Sequence, residues 1–337
     1  MQTRFRLNVP VGVPPGDYSL AAVVYAPVTL QPVAVFDSNQ KSLGATLPMG
    51  RVRVDRGKLS TSTASVTPSH PEVREVAPGV RLLGYDMPAG EVDQGGILTL
   101  MLYWQALSQP QDDYQVSIRL TGGAGNVIQD FSEKPHHGLY PTTEWRQGEI
   151  VRDVHLVPIP GDASPGTTRV TVALTSPGVS DPQGVELAAV VVKERLRTFE
   201  IPAVENPREV DLGGKVRFLG YALSGGPAFR PGGEIDLNLY WQAKANNIGN
   251  YAVFTHLLDD HHRIWAQHDG LPVNGTEPTP GWVAGQTVVD KHQLAIKADA
   301  PPGEYVVEIG MYDPTTGQRL KTPDGEDRIL LDRVRIQ

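Results

Sequence analysis

The sequence predicts an all-β protein made of tandem antiparallel β-sandwich modules, and three observations lead there. Glycine and proline number 35 and 29 in 337 residues and are spread along the whole chain, which works against long helices and favours short strands joined by tight turns. Apolar and polar residues alternate with period two through several segments, the mark of a strand with one buried face. The pentapeptide LYWQA stands at 102–106 and returns at 239–243, so the chain contains a duplication.

The repeat extends well beyond those five residues. Trp104 and Trp241 are 137 apart, and the same offset joins Tyr114 to Tyr251, Pro135 to Pro272, Trp145 to Trp282 and Gly148 to Gly285. VRLLGY at 80–85 and VRFLGY at 216–221 are 136 apart, so one residue was gained in the loop between. A period this long marks whole domains in tandem. A third copy supplies only its second half: VPPGDYSLAAVVYAP at 13–27 aligns with APPGEYVVEIGMYDP at 300–314 at an offset of 287, which also pairs Arg4 with Lys291. Each copy is expected to close on an Arg-aliphatic-Arg strand, namely Arg51-Val52-Arg53, Arg195-Leu196-Arg197 and Arg333-Val334-Arg335. The expected domains are therefore a half module at 1–56 and complete modules at 73–200 and 204–337. Segments 57–72 and 201–214, rich in Ser, Thr, Pro or Gly, read as linkers.

Each element follows from local pattern. In the half module, Pro14-Pro15-Gly16 supplies a rigid turn ahead of the strand that opens at Asp17-Tyr18. Val23, Tyr25, Val33, Val35 and Leu47 are expected to face a sheet that the first 56 residues do not contain. The second module could cover them, another chain could complete the sandwich through self-association, or upstream sequence could supply the sheet. In the second module Leu98, Leu100, Leu102 and Trp104 point inward, with Thr99, Met101, Tyr103 and Gln105 outward. In the third, Ile235, Leu237, Leu239 and Trp241 point inward, with Asp236, Asn238, Tyr240 and Gln242 outward. Both LYWQA strings are thus core. Seven or eight strands per module suggest an immunoglobulin-like or jelly-roll sandwich, and strand order is not readable.

Composition excludes several classes of function. The net charge of −8 arises from interspersed acids and bases, with no cationic stripe for nucleic acid. Cysteine is absent, which removes disulfides, thiolate metal sites and cysteine nucleophiles. No segment approaches the roughly 18 to 20 apolar residues that span a bilayer. No catalytic residue, metal site or cofactor is expected.

Three polar or aromatic patterns stand against that expectation. Asp153-x-His155 recurs as Asp290-x-His292 on one strand face, the arrangement by which a carboxylate orients a general base. The half module has Thr3 and Phe5 there, no nucleophile is evident, and backbone satisfaction is the competing role. His256, His261, His262 and His268 crowd one hairpin at a density that metal sites use, but Arg119 and Phe131 replace His256 and His268 in the second module, so a solvated turn is expected. Trp145 and Trp282 lie in proline and glycine loops, where an indole either covers the end of its own sandwich or stacks on a sugar ring, with Tyr140 as neighbour. These three residues are the candidate ligand-binding set. Asn274-Gly275-Thr276 fits a glycosylation acceptor and adds little.

LGYD, LYWQA, PTTEWRQGEIVRD and APPGEYVVEIGMYDPTTGQRL resemble the tandem modules that follow the membrane-spanning part of large glycosyltransferase-like proteins of the Chloroflexota. The resemblance covers nearly the whole chain but rests on turn and core residues. It implies an extracytoplasmic β-sandwich appendage, at the cell surface or secreted, and transfers no active site. Either an anchor has been left out or the modules are used without one. The expected function is a non-enzymatic structural, spacer or interaction module, with carbohydrate binding through the loop tryptophans as the alternative. A cell-surface polysaccharide or a protein is the expected partner.

Overall fold

The computed structural model describes residues 6–24, 46–56, 62–87, 90–176, 184–225 and 228–337. In the half module, β1 (Gly16–Val23) and β2 (Thr46–Val54) form an antiparallel hairpin. The second module contains β3 (His70–Ala77), β4 (Val80–Asp86), β5 (Glu91–Asp93), β6 (Ile97–Ala106), β7 (Gln115–Gly122), β8 (Val127–Glu133), β9 (Ile150–Pro158), β10 (Gly166–Thr175), β11 (Val185–Glu186) and β12 (Val190–Lys193). The third contains β13 (Asn206–Leu212), β14 (Val216–Ser224), β15 (Ala228–Phe229), β16 (Glu234–Ala243), β17 (Ala252–Leu258), β18 (Ile264–Gln267), β19 (Thr287–Ala295), β20 (Gly303–Tyr312) and β21 (Ile329–Ile336). Among the described residues no helix is long and apolar enough to cross a membrane.

The two complete modules share one topology. In the second, a sheet ordered β3-β4-β6-β9 faces one ordered β5-β12-β10-β7-β8, with β11 on β10. In the third, β13-β14-β16-β19 faces β15-β21-β20-β17-β18. The order decides between the two expected sandwich types. Setting aside the leading strand and the short β5, β11 and β15, strands one, two and five form one sheet and seven, six, three and four the other, which is the immunoglobulin arrangement. A short strand crosses between the sheets and pairs parallel with the last one, β5 on β12 and β15 on β21. Tyr305, near the start of β20, donates from Oη to the Pro301 carbonyl at 2.7 Å. This is the tyrosine corner of that fold. Tyr18 makes the same bond to Pro14 at 2.7 Å, so β1 and β2 correspond to β20 and β21.

Both LYWQA tryptophans are core: Trp104 and Trp241 are completely buried between the sheets. The preceding LGY motif is explained as well. Gly84 (φ 147°) and Gly220 (φ 133°) stand where β4 and β14 shift register against β6 and β16. A Cβ at Gly84 would lie 2.5 Å from the His70 carbonyl, and one at Gly220 2.3 Å from that of Asn206. Only glycine fits such a bulge under a crossing backbone.

Some expectations need correction. Tyr103 and Gln105 do point away from the main core, yet both are buried. Leu83, Tyr103 and Ile150 form a small cluster on the outer face, against which Val66 of the linker packs. Strand β3 begins at His70, ahead of the expected start at 73. Arg195-Leu196-Arg197 is not a strand; it follows β12, and Leu196 is 94% exposed. In the hairpin, Val23 lies on the opposite face from Tyr18, Leu20 and Ala22, the residues that match buried Tyr305, Val307 and Ile309. Leu47 shares the Ala22 face by register, whereas Tyr25, Val33 and Val35 lie outside the described residues, as do Thr3, Arg4 and Phe5.

Candidate functional site

The loop tryptophans belong to a repeated closure of the sandwich end. Thr142 Oγ1 donates to the Asp112 carbonyl at 2.6 Å and accepts from the Tyr114 amide at 2.9 Å. Thr279 repeats this with the Gly249 carbonyl at 2.6 Å and the Tyr251 amide at 2.8 Å. The indoles that follow donate inward, Trp145 to the Tyr140 carbonyl at 3.3 Å and Trp282 to the Glu277 carbonyl at 2.9 Å. Both indoles are 0% exposed and Tyr140 is 2% exposed. Trp145, Trp282 and Tyr140, read from the sequence as a ligand-binding set, therefore have their rings buried rather than open at the surface. The covering role is the one the structure shows.

The duplicated aspartate and histidine are buried and come together. Asp153 Oδ2 accepts from His155 Nε2 at 2.7 Å and from Trp104 Nε1 at 3.1 Å, while Oδ1 accepts the His136 amide at 2.8 Å. Asp290 Oδ2 meets His292 Nε2 at 2.8 Å, and its Oδ1 accepts the Val273 amide at 2.7 Å. In each module the carboxylate ties the strand to a 3-10 turn, Pro135–Gly138 or Pro272–Gly275. These turns hold His136, His137, Val273 and Asn274 at φ of 50 to 55°, left-handed backbone that disfavours a β-branched residue such as Val273. The hydrogen-bonded anchor offsets that strain. The pair thus fastens a loop and has no nucleophile beside it among the contacts described.

The third partner of the pair differs between modules. In the second, Glu133 Oε2 lies 3.3 Å from His155 Nδ1. Burial alone would depress the His155 imidazole, but its bonds to Asp153 and Glu133 prevail and raise it. In the third, His268 Nδ1 meets His292 Nδ1 at 2.8 Å, the rings edge to face at 4.9 Å. Burial, with the adjacent His292, holds His268 below the ordinary value.

The remaining histidines of that hairpin do not join one cluster. His261 and His262 are exposed at the turn, as expected of a solvated loop. His256 is buried and bonds Glu308 Oε1 at 2.8 Å, with Asp269 Oδ1 at 3.3 Å. Glu308 also takes Arg328 at 2.9 Å. Burial would lower His256, but the hydrogen bonds to Asp269 and Glu308 and their charges lift it to about 9. Among the described residues no group of three or more His, Asp or Glu could hold a metal ion.

The most developed polar surface joins modules, and sequence reasoning missed it. Arg195 pairs with Glu277 at 3.0 Å and donates to the Thr276 carbonyl. Arg197 donates to Gln94 Oε1 at 2.6 Å, to the Gly161 carbonyl at 2.8 Å and to the Gly281 carbonyl at 3.4 Å. Asn246 donates to Asp162 at 2.7 Å and the Thr287 amide to the Thr198 carbonyl at 2.7 Å. Backbones touch at this seam: a Cβ on Gly95 would lie 2.4 Å from Gly281 Cα, and one on Gly161 2.4 Å from the Gly281 carbonyl. Beside it opens a cleft of about 380 Å³ lined by Gln94, Asp162, Arg195, Arg197 and Phe199 among others.

A related contact joins the half module to the second. Arg56 donates to the Glu144 carbonyl at 3.2 Å and to Tyr140 Oη, and its guanidinium lies 5.2 Å from the Tyr140 ring centre. Tyr18 Oη lies 3.1 Å from His136 Nε2, and the Arg152 amide donates to the Gly12 carbonyl at 2.7 Å. The second module therefore touches the half module through these polar contacts, while no described half-module residue joins its core. Glu144 is the counterpart of Gly281 at the 137 offset, so an arginine following the last strand reaches the same carbonyl at both junctions. In both, its Nε is buried without a hydrogen-bond partner among the described residues. The signal was present as Arg56, Arg195 and Arg197, but the last two read as strand residues.

No protein-family model and no curated protein matches the chain. Among solved structures it is similar to a red sea bream transglutaminase, at 8% identity and a TM-score of 0.23, over 78% of this chain and 32% of that one. The chain thus spans about a third of that protein's length.

Proposed function

We propose that this chain is a non-enzymatic spacer in which immunoglobulin-type modules are fixed end to end by arginine joints. The observation that carries the reading is the recurrence of one contact, Arg56 on the Glu144 carbonyl and Arg197 on the Gly281 carbonyl. A linker meant only to tether would leave the modules without shared hydrogen bonds. Here the loops between strands serve the joints and the closure of each sandwich. The extracytoplasmic setting, at the cell surface or secreted, rests on the resemblance of the repeated motifs to appendages of membrane proteins. The carbohydrate-binding alternative loses its support with the burial of Trp145 and Trp282.

Small-angle X-ray scattering tests the reading. The chain should scatter as one rigid elongated particle, and the double variant Arg195→Ala, Arg197→Ala should scatter as a flexible pair while both modules keep their unfolding transitions. A flexible profile for the unaltered chain, or a saturable fluorescence change with surface polysaccharide, would defeat it.

A further inference from the structure

The loop fastened by Asp290 is the loop gripped by the joint. Asp290 holds it at the Val273 amide. Downstream in the same loop, Thr276 and Glu277 receive Arg195 and Gly281 receives Arg197. Behind Asp290 stands a chain of two imidazoles, His292 and His268, in contact through their Nδ1 atoms.

We propose that the His268–His292 pair is an acid-sensitive latch on the joint: when both imidazoles are protonated their contact breaks, Asp290 loses its grip on the loop, and the third module comes free of the second. The inference rests on the reading of the joint as rigid.

Proton placement gives the mechanism. One hydrogen bond spans the two Nδ1 atoms, so one nitrogen donates and the other accepts. A single added proton leaves this bond intact, because an imidazolium can donate to an imidazole while Asp290 balances the charge. A second sets N–H against N–H and places two cations before one carboxylate. The surroundings offer little relief. From β17, Thr255 meets His268 only through hydrogen bonds to its backbone, the His268 amide to the Thr255 carbonyl at 2.9 Å and Thr255 Oγ1 to the His268 carbonyl at 2.7 Å. Asp269, next in the chain, is paired with His256, which also engages Glu308 of β20. Burial and His292 hold His268 below its ordinary value, with the charges of Asp290 and Asp269 acting the other way.

The second module is an internal control. At the position of His268 it has Phe131, whose ring stands edge to face with His155 at 6.3 Å. Its third partner is the anion Glu133, where the third module has Gly270. Protonation there strengthens the contact.

The absence of cysteine allows clean labelling. Spin labels on Glu186→Cys and Arg335→Cys, both exposed, report the distance between the modules. The expected distribution is narrow near pH 7.5 and broad near pH 5, with the sheet signal in circular dichroism retained and the change reversible. In a His268→Phe background it should stay narrow at both. A distribution already broad near pH 7.5 defeats the rigid joint itself. One that is narrow at both values in the parent, or broadens only with loss of sheet signal, overturns the latch alone. Should His268→Phe fail to fold, nitrogen-15 titration of the imidazoles in the parent decides: two separate proton uptakes, the second coinciding with the broadening, support the latch. A single uptake, or broadening at an unrelated pH, overturns it.

Discussion

Trp104 and Trp241 are equally buried, but their indole N–H groups differ: Trp104 donates to Asp153, whereas Trp241 Nε1 has no partner among the described residues. Replacing Trp104 by Phe deprives a buried carboxylate of a donor, while Trp241→Phe removes an unsatisfied one. The first should cost about 1–2 kcal/mol more than the second in denaturant unfolding of the respective module. Loss of the whole ring, Trp104→Ala or Trp241→Ala, should cost about 3–5 kcal/mol in either. His256 gives a pH prediction with a definite sign. Its folded value, about 9, stands above the ordinary 6.5, so the folded state binds the proton more tightly than the unfolded one. The resulting stability is complete below 6.5 and is lost as pH rises through about 9. The third module should therefore melt at a lower temperature at alkaline pH than at neutral pH, and His256→Gln should flatten that slope in calorimetry.

The strands of the complete modules show what alternation can and cannot reveal. The inward faces of β6 and β16 follow directly from period two, because burial on one side is what selects apolar residues there. The burial of Tyr103 was not legible, since it involves a linker residue, Val66, returning over the outer face. The Asp-His motif was legible as a pair but not as a loop anchor, because the anchored amides of His136 and Val273 are backbone groups with no residue signature. Strand parity failed in the hairpin: without the opposing sheet, Val23 and Ala22 offer no contrast in polarity. The bulge glycines are the most exacting local requirement. Gly220→Ala would force a side chain onto the Asn206 carbonyl from left-handed backbone. It should destabilise the third module by about 1–3 kcal/mol, visible as a lower denaturation midpoint, while leaving the second module's transition in place.

At the scale of the molecule, duplication explains why architecture was readable and the joints were not. Repetition marks what every copy shares, such as the Pro-Thr closure of 141–142 and 278–279. A junction is shared between two copies, and its halves need not repeat. The glycine seam illustrates this. Gly281 has Glu144 as its counterpart in the second module, and Gly161 has Ala298 in the third. Only the leading end of the third module and the trailing end of the second can therefore come backbone to backbone. The two units are not interchangeable parts, despite their common ancestry. A chimaera with their order reversed would set Glu144 and Ala298 where two bare backbones now meet. Recombination could lengthen such a chain only by copying the pair as one cassette, so the heritable unit of growth would be the doublet.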